Sequence, residues 1–156
     1  MGRAAESGRA LKLLIDTCIA LWALAKPERL PDALAQGMRA GDFEVFLSMV
    51  SLWEVAIKHS IAAAGGPRRL DWSAVDLMTW AEGAGINLLP IKPAHCIQVD
   101  RLPYRINPGT GRAHADPFDR MLVAQTLAEP MRLVTADPLV ALHEVDAPGL
   151  IEKIPT

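Results

Sequence analysis

The sequence is short of cysteine and has no long apolar run, and each of these absences excludes a class of protein. Its two cysteines, Cys18 and Cys96, lie far apart without CxxC spacing, which indicates no disulfide framework. No apolar run approaches the roughly 20 residues that a membrane span needs, so no contact with a membrane is expected. The first ten residues, MGRAAESGRA, lack the apolar centre of a secretory signal, and we expect a disordered lead-in over residues 1–10. Together these absences predict a cytoplasmic protein.

What the sequence does contain suits one globular domain. With 156 residues, of which 51% are hydrophobic, the chain can bury a sizeable core, and we expect a single domain over residues 11–156. The formal net charge of −2 gives the whole molecule no electrostatic case for binding nucleic acid. Any such contact must come from local basic patches, or from metal ions that reverse the charge of an acidic cleft.

Short apolar runs alternate with helical patterns along the chain. This alternation favours βαβ crossovers and a parallel sheet covered on both faces, which is an α/β fold. The predicted strands are Leu11–Ile15, 44–47, Asn87–Leu89, Arg132–Thr135 and a weak one at 150–151. The predicted helices follow Thr17 (a candidate cap), cover 31–40, Met49–Ala63 and 93–100, and follow Ser73, Asp116 and Pro138. Residues 102–115, rich in proline, glycine and basic side chains, are expected to form a loop.

The stretch ADPFDRMLVAQTLAEPMRLVTAD organises the rest of the chain, because it places acids at a helix start and at a strand end. Asp116 lies where an N-cap is expected, Pro117 at the first helical position and Asp119 in the first turn. The strand Arg132–Thr135 then runs into Asp137. Open α/β sheets bind their ligands at the edge formed by the carboxyl ends of the strands. The stretch therefore predicts carboxylates at that edge.

Two more acids occupy equivalent places in distant segments. Asp16 directly follows the strand Leu11–Ile15, and Glu54 lies in the first turns of the helix that follows strand 44–47. Four separate segments thus each carry an acid at a strand end or near a helix start.

Each acid also has a purely structural interpretation. Asp116 is a good N-cap, and Ser51 with Glu54 has the S-x-x-E spacing of a capping box. Asp16 is also typical of a plain turn before Thr17, and Asp137 before Pro138 of another turn or a cap. Taken singly, these interpretations are at least as strong as a functional one.

Taken jointly, the acids favour a metal site. Asp16 and Asp137 both end apolar strands, where a buried charge is costly unless something compensates it. Crowded carboxylates raise one another's pKa, and a divalent cation relieves the repulsion. Oxygen ligands suit Mg²⁺ or Mn²⁺. The histidines offer no rival site, since they are scattered without metal-ligand spacing at His59, His95, His114 and His143.

Four motifs, in order, resemble the PIN-domain nucleases and most closely the VapC-type toxins of toxin–antitoxin pairs. They are LLIDTCIALWAL, SMVSLWEVAIK, ADPFDRMLVAQTLAE and LVTADP, and the similarity covers nearly all of residues 11–154. The resemblance implies a PIN-like α/β/α sandwich with a central parallel sheet of four to five strands. It also implies an endoribonuclease that depends on Mg²⁺ or Mn²⁺ and cleaves RNA, often tRNA or rRNA, through a metal-activated water.

By position, the resemblance implies a catalytic set of four acids: Asp16, Glu54, Asp119 and Asp137. The first three would hold the metal. Asp116 and Thr135 are supporting residues, one in the DPFD variant of the third motif and the other just before the last acid.

The resemblance also implies partners. These are an RNA substrate, a small antitoxin of VapB type and a second copy of the chain, with the helix bearing Trp53 as one surface for a homodimer. Candidates for phosphate contacts are Arg105, Arg112, Arg120 and Lys58. The chain departs from many relatives at Cys18, where they have histidine, and at residues 104–114, where its loop is longer.

Three other functions stay open at this point. A receiver-like phosphoacceptor would need an acidic pair at the first strand and a lysine after a later one, whereas Ile15 precedes Asp16 and no lysine adjoins Asp137. A non-catalytic binding module would use the acids only as caps. A PIN nuclease could also act on DNA, or in RNA processing.

Overall fold

A five-stranded parallel sheet forms the centre of the described part of the chain. The computed structural model describes residues 10–67 and 70–156, so most of the predicted lead-in lies outside the described residues. The sheet strands are β1 (Leu11–Ile15), β2 (Phe43–Ser48), β3 (Asn87–Leu89), β6 (Arg132–Thr135) and β7 (Ile151–Lys153). Their order is β3-β2-β1-β6-β7. The predicted α/β class and parallel sheet are confirmed.

Helices cover both faces of this sheet. They are α1 (Thr17–Ala25), α2 (Asp32–Ala40), α3 (Met49–Ala63), α4 (Ala74–Gly83), α5 (Pro93–Arg101), α6 (Pro117–Ala128) and α7 (Pro138–Ala141). Two 3₁₀ turns follow α1 and α7, at Pro27–Arg29 and Leu142–Val145. No helix in the described ranges is long and apolar enough to cross a membrane.

The central strand β1 is apolar because the layers on both of its faces are buried. It pairs in parallel with β2 on one side and with β6 on the other. Leu13 and Ile15 pack in a buried cluster with residues of α1, α3 and α4. Leu14, one residue between them, packs on the opposite face against α6 and α7. Because successive side chains of a strand point to opposite faces, this one strand contributes to the buried cores on both faces of the sheet.

Two predicted helix caps are wrong by one or a few residues. Asp16, in an extended conformation, caps α1 by accepting a hydrogen bond from the Ile19 N–H at 2.7 Å, so Thr17 is the first helical residue instead of the cap. Ser48 caps α3 by accepting from the Val50 N–H at 3.0 Å, and Ser51 does not form the predicted capping box. In both cases the side chain that caps the helix lies closer to the end of the preceding strand than the predicted one.

Residues 102–115 form an antiparallel hairpin rather than the predicted loop. Its strands are β4 (Arg105–Ile106) and β5 (Ala113–His114), with Arg105 opposite His114. Arg105 donates two hydrogen bonds to the Asp146 carboxylate, one of them from Nε at 2.8 Å. This bidentate ion pair ties the hairpin to the turn after α7, and a phosphate contact by Arg105 would have to break it.

Arg120 holds the end of α5 against α6. Its side chain is 5% exposed, and its two terminal nitrogens donate to the carbonyl oxygens of Val99, Leu102 and Pro103 at 3.1, 2.6 and 3.2 Å. The guanidinium also stacks on the Tyr104 ring, 4.0 Å from its centroid. These contacts satisfy carbonyls that the helix end leaves without partners. The phosphate contact predicted for Arg120 stays a prediction, and it would have to compete with these contacts inside the fold.

Replacing Arg120 by methionine should lower the free energy of unfolding by about 2–4 kcal/mol, because buried carbonyl groups lose charged donors. Chemical denaturation of the purified protein measures this change. The matched control is Arg112→Met, on the exposed turn of the hairpin, which should stay within about 0.5 kcal/mol of wild type. Equal losses in the two variants would contradict the structural role given to Arg120.

Candidate functional site

Four acidic side chains line one cleft of about 260 Å³ at the carboxyl edge of the sheet. Asp16 follows β1 and Asp137 follows the residue after β6, while Asp119 lies in the first turn of α6. Glu54 reaches the same cleft from the second turn of α3. Parallel neighbouring strands end at the same edge, which explains how acids 121 positions apart in sequence meet.

Asp16 accepts hydrogen bonds from helix α1, which follows it, and from strand β6, the neighbour of β1 in the sheet. Its Oδ1 accepts from the Ile19 N–H at 2.7 Å, and its Oδ2 accepts from the Thr135 hydroxyl at 2.5 Å. The side chain is 4% exposed, and this burial raises its pKa to about 6 against the opposing effect of the two hydrogen bonds. One oxygen of Asp16 thus caps α1, and the residue also lines the cleft.

Glu54 is held by a hydroxyl and by an ammonium group. Its Oε2 accepts from the Thr17 hydroxyl at 2.5 Å, and the Thr17 oxygen lies 3.0 Å from that of Ser51. Its Oε1 forms an ion pair with Lys58, one helical turn further along α3. Among the described residues that line the cleft, Lys58 is the basic one.

The pKa of Asp119 is raised further than that of Asp16. Its Oδ2 lies 3.0 Å from Nε2 of His114, and its side chain is 22% exposed. Burial is the main cause that raises its pKa to about 8, and the negative charges of Asp116 and Asp137 add to it. A carboxylate that resists ionisation in this way is poised to gain from a nearby cation.

Asp137 and Asp116 both cap helices, and they differ in their distance from the cleft. Asp137 accepts from the Leu139 N–H at 2.7 Å and lines the cleft. Asp116 is exposed, accepts from the N–H groups of Phe118 and Asp119 at 2.9 and 3.1 Å, and is not among the residues lining the cleft. Any support from Asp116 therefore acts through its charge on Asp119.

The acids suit a divalent cation by their chemistry, although they do not form a closed cage. Among residues 10–67 and 70–156, no group of three or more His, Cys, Asp or Glu side chains is arranged to hold a metal ion as it stands. The oxygens are turned instead toward N–H, hydroxyl and ammonium donors of the chain, which compensate their charge. The donor set consists of hard oxygens around one cleft, and two of the aspartates resist ionisation, so these residues fit Mg²⁺ or Mn²⁺ chemically.

Sequence reasoning missed two residues that contact the acids. Thr17 was assigned to a cap, and His114 was set aside because it has no metal-ligand spacing; both hydrogen-bond to acids of the cleft. Thr17 carries a usable signal, since a hydroxyl directly after a strand-end acid faces the same edge. Cys18 also lines the cleft, but burial raises its thiol pKa to about 11, which disfavours a thiolate nucleophile.

Comparison with known proteins identifies the family. The family model of the PIN domain matches residues 13–146. A chain of the VapBC2 complex from Rickettsia felis, bound to a promoter DNA fragment, superposes with a TM-score of 0.61 at 16% identity, over 92% of this chain and 99% of that chain. A chain from a Klebsiella pneumoniae toxin–antitoxin complex gives a TM-score of 0.49 at 13% identity, over 91% and 99%. None of the curated protein sequences compared with this chain is significantly similar to it.

The matched region contains the whole acidic cleft. Residues 13–146 run from β1 to the turn after α7 and include Asp16, Glu54, Asp119 and Asp137. At 16% identity, the Rickettsia felis structure shows a common fold. With the family model matched over most of its length, the chain belongs to the PIN domain family.

Proposed function

We propose that this PIN-domain protein is a metal-dependent endoribonuclease and the toxin of a type II toxin–antitoxin pair. PIN domains are generally nucleases that use divalent metal ions. The observation that carries the proposal is the meeting of four acids in one cleft at the carboxyl edge of the sheet. The substrate is RNA, with tRNA and rRNA as the first candidates, and the cofactor is Mg²⁺ or Mn²⁺.

The chain's own residues divide the work. Asp16, Glu54 and Asp119 would hold the metal, directly or through water, and Asp137 would complete the acidic rim and orient the attacking water. When bound, the ion supplies a water of lowered pKa and neutralises charge on the phosphate oxygens. Thr135 fixes Asp16 by its hydroxyl, which limits how far that carboxylate can turn.

Lys58 is the proposed phosphate contact at the cleft wall. Its ammonium is paired with Glu54. Where Glu54 would hold the ion, Lys58 would be free to contact a backbone phosphate of the RNA. Arg112, exposed on the hairpin turn, is a second phosphate contact.

A small antitoxin of VapB type is the proposed protein partner. The Rickettsia felis neighbour is itself part of a VapBC complex. A planar guanidinium fork pairs well with carboxylates, so an antitoxin arginine placed among the acids would neutralise them and block the cleft.

Co-expression of the gene next to this one should relieve growth arrest caused by the toxin alone. Growth arrest that the neighbouring gene does not relieve would instead favour a PIN nuclease of RNA processing, or one acting on DNA.

A homodimer is proposed through α3. Trp53, Ile57 and Ile61 recur at intervals of four residues and so share one face of the helix. Trp53 is 56% exposed and packs edge-on against Phe118, with ring centroids 5.3 Å apart, while Ile61 is 52% exposed. Large apolar side chains grouped on one exposed face are typical of a protein–protein contact.

Asp119→Asn should reduce RNA cleavage by at least about 100-fold, since a metal ligand weighs more than the outer partners whose loss costs 10–100-fold. The variant should be as stable as wild type or more so, because it removes a carboxylate that repels its neighbours. Cleavage of a labelled RNA and the Tm measure the two effects. Asp42→Asn, on an exposed loop away from the cleft, is the matched control and should keep full activity. Full activity in Asp119→Asn would overturn the site assignment.

Removal of the metal should abolish RNA cleavage by the wild-type protein. We expect EDTA to stop RNA cleavage and added Mn²⁺ or Mg²⁺ to restore it, because the acids alone supply no nucleophile of suitable pKa. Binding to the folded state alone also raises stability, so Mn²⁺ should increase the Tm of wild type and increase that of Asp16→Asn much less. Cleavage that persists in EDTA would reject the metal-dependent mechanism.

Stability of the metal-free protein should fall as the pH rises from 6 to 8. The folded-state pKa of Asp16 is about 6 and that of Asp119 about 8, both above the unfolded value of 3.8. The folded state therefore binds protons more tightly, and this contribution is lost as pH rises through those values. Each pH unit in the window is worth at most about 1.4 kcal/mol per group, or roughly 2–4 °C in Tm for each kcal/mol. Asp119→Asn should flatten the curve between pH 6 and 8, and a wild-type Tm that stays level or rises in EDTA buffer would contradict the assignment.

A further inference from the structure

The hairpin formed by β4 and β5 delivers a buried histidine to the acidic cleft. His114, the last residue of β5, is 6% exposed, and its Nε2 lies 3.0 Å from Oδ2 of Asp119. Asp116 lies between the two residues and turns the chain into α6, so that a side chain before the helix meets one in its first turn. The contact therefore depends on how the hairpin enters the helix.

The hairpin is held in place at its other strand as well. Arg105, opposite His114 in the hairpin, forms the bidentate pair with Asp146 described above. Asp146 in turn contacts Nδ1 of the fully buried His143 at 2.8 Å, and the His143 and His114 rings lie 6.1 Å apart. A continuous set of side chains thus connects the turn after α7, the hairpin and Asp119.

The polar atoms of the His114 ring define what it can do. Among the described residues no hydrogen-bond partner is found for its buried Nδ1, whereas Nε2 faces Asp119. A carboxylate must be ionised to hold a metal, and an ionised carboxylate accepts from an N–H group. His114 can therefore donate from Nε2 to Oδ2 and fix the rotation of Asp119 about its side-chain bonds.

We propose that His114 is a positioning residue that orients Asp119 for divalent-ion binding, and that the β4–β5 hairpin is the element that sets this orientation. The inference rests on the proposed metal-dependent function and extends it to residues outside the four acids. Hydrogen-bond donors behind metal-binding side chains orient them and raise metal affinity, and their loss typically costs about 10–100-fold. A role in packing alone would change stability and leave metal affinity of the folded protein unchanged.

A matched pair of amide variants separates positioning from packing. His114→Gln places an N–H donor near the position of Nε2, whereas His114→Asn carries the same amide on a shorter side chain that ends near Nδ1. Both retain a buried polar group, so their cost to the fold is similar. His114→Phe fills the space without any donor, and Ile106→Thr on the exposed part of the same hairpin controls for disturbance of the hairpin itself.

The primary measurement is Mn²⁺ affinity by isothermal titration calorimetry below the Tm of every variant. We expect His114→Asn and His114→Phe to weaken Mn²⁺ binding by about 10–100-fold, with His114→Gln recovering most of the affinity and Ile106→Thr matching wild type. The Mg²⁺ concentration for half-maximal RNA cleavage should rise in the same order, while kcat at saturating metal changes little.

Each result decides the inference. If wild type binds Mn²⁺ and the Asn and Phe variants bind it equally well, even with a lower Tm, His114 is a packing residue and the inference is wrong. If the affinities follow the expected order but the wild-type protein cleaves no RNA, the positioning role stands and the proposed nuclease function is rejected. If wild type binds no Mn²⁺, both proposals are rejected.

Discussion

The gathering of four acidic side chains in one small cleft, where burial and neighbouring negative charge both oppose ionisation, is the constraint on which the rest of this structure depends. The side chains of Asp16, Glu54, Asp119 and Asp137 share a space of about 260 Å³. Neighbouring donors partly compensate these charges. The Thr17 hydroxyl and the Lys58 ammonium contact Glu54, and the Thr135 hydroxyl contacts Asp16. The pKa of Asp16 is raised to about 6 and that of Asp119 to about 8, mainly by burial, and the charges of the neighbouring acids add to this effect. A divalent cation would therefore stabilise this acidic cleft more than it would stabilise a pocket without carboxylates.

The fold makes this crowding possible because it gathers the ends of parallel strands at one edge. β1 and β6 are neighbours in the sheet although a long stretch of chain separates them, and each is followed by an acid. The helices begin at the same edge, so that capping residues and cleft residues lie side by side. Asp16 and Asp137 combine both roles, since each accepts a helix N–H and also lines the cleft. Structural and functional interpretations of such residues are therefore compatible.

The sequence predicted the parts of this arrangement that follow from local patterns. An acid after a run of buried aliphatic residues marks a strand end, which placed Asp16 and Asp137 correctly at the sheet edge. The cap prediction for α1 is wrong because Asp16 and Thr17 adjoin and can each accept the same helix N–H. The internal contacts of Arg120 could not be predicted, because arginine is usually exposed and only the tertiary structure shows the carbonyls at the end of α5 that surround it. The hairpin strands are two residues long, which is too short for any alternation to be visible.

The bond between Thr135 and Asp16 joins side chains 119 positions apart. During synthesis the N-terminal segments emerge first and fold as they become available, but β1 cannot pair with β6 until the chain has been extended past Thr135. Asp119 and Asp137 are also supplied by this late segment. A ribosome making this protein therefore carries no assembled cleft until Asp137 has been added, because only then are all four acids present in the chain.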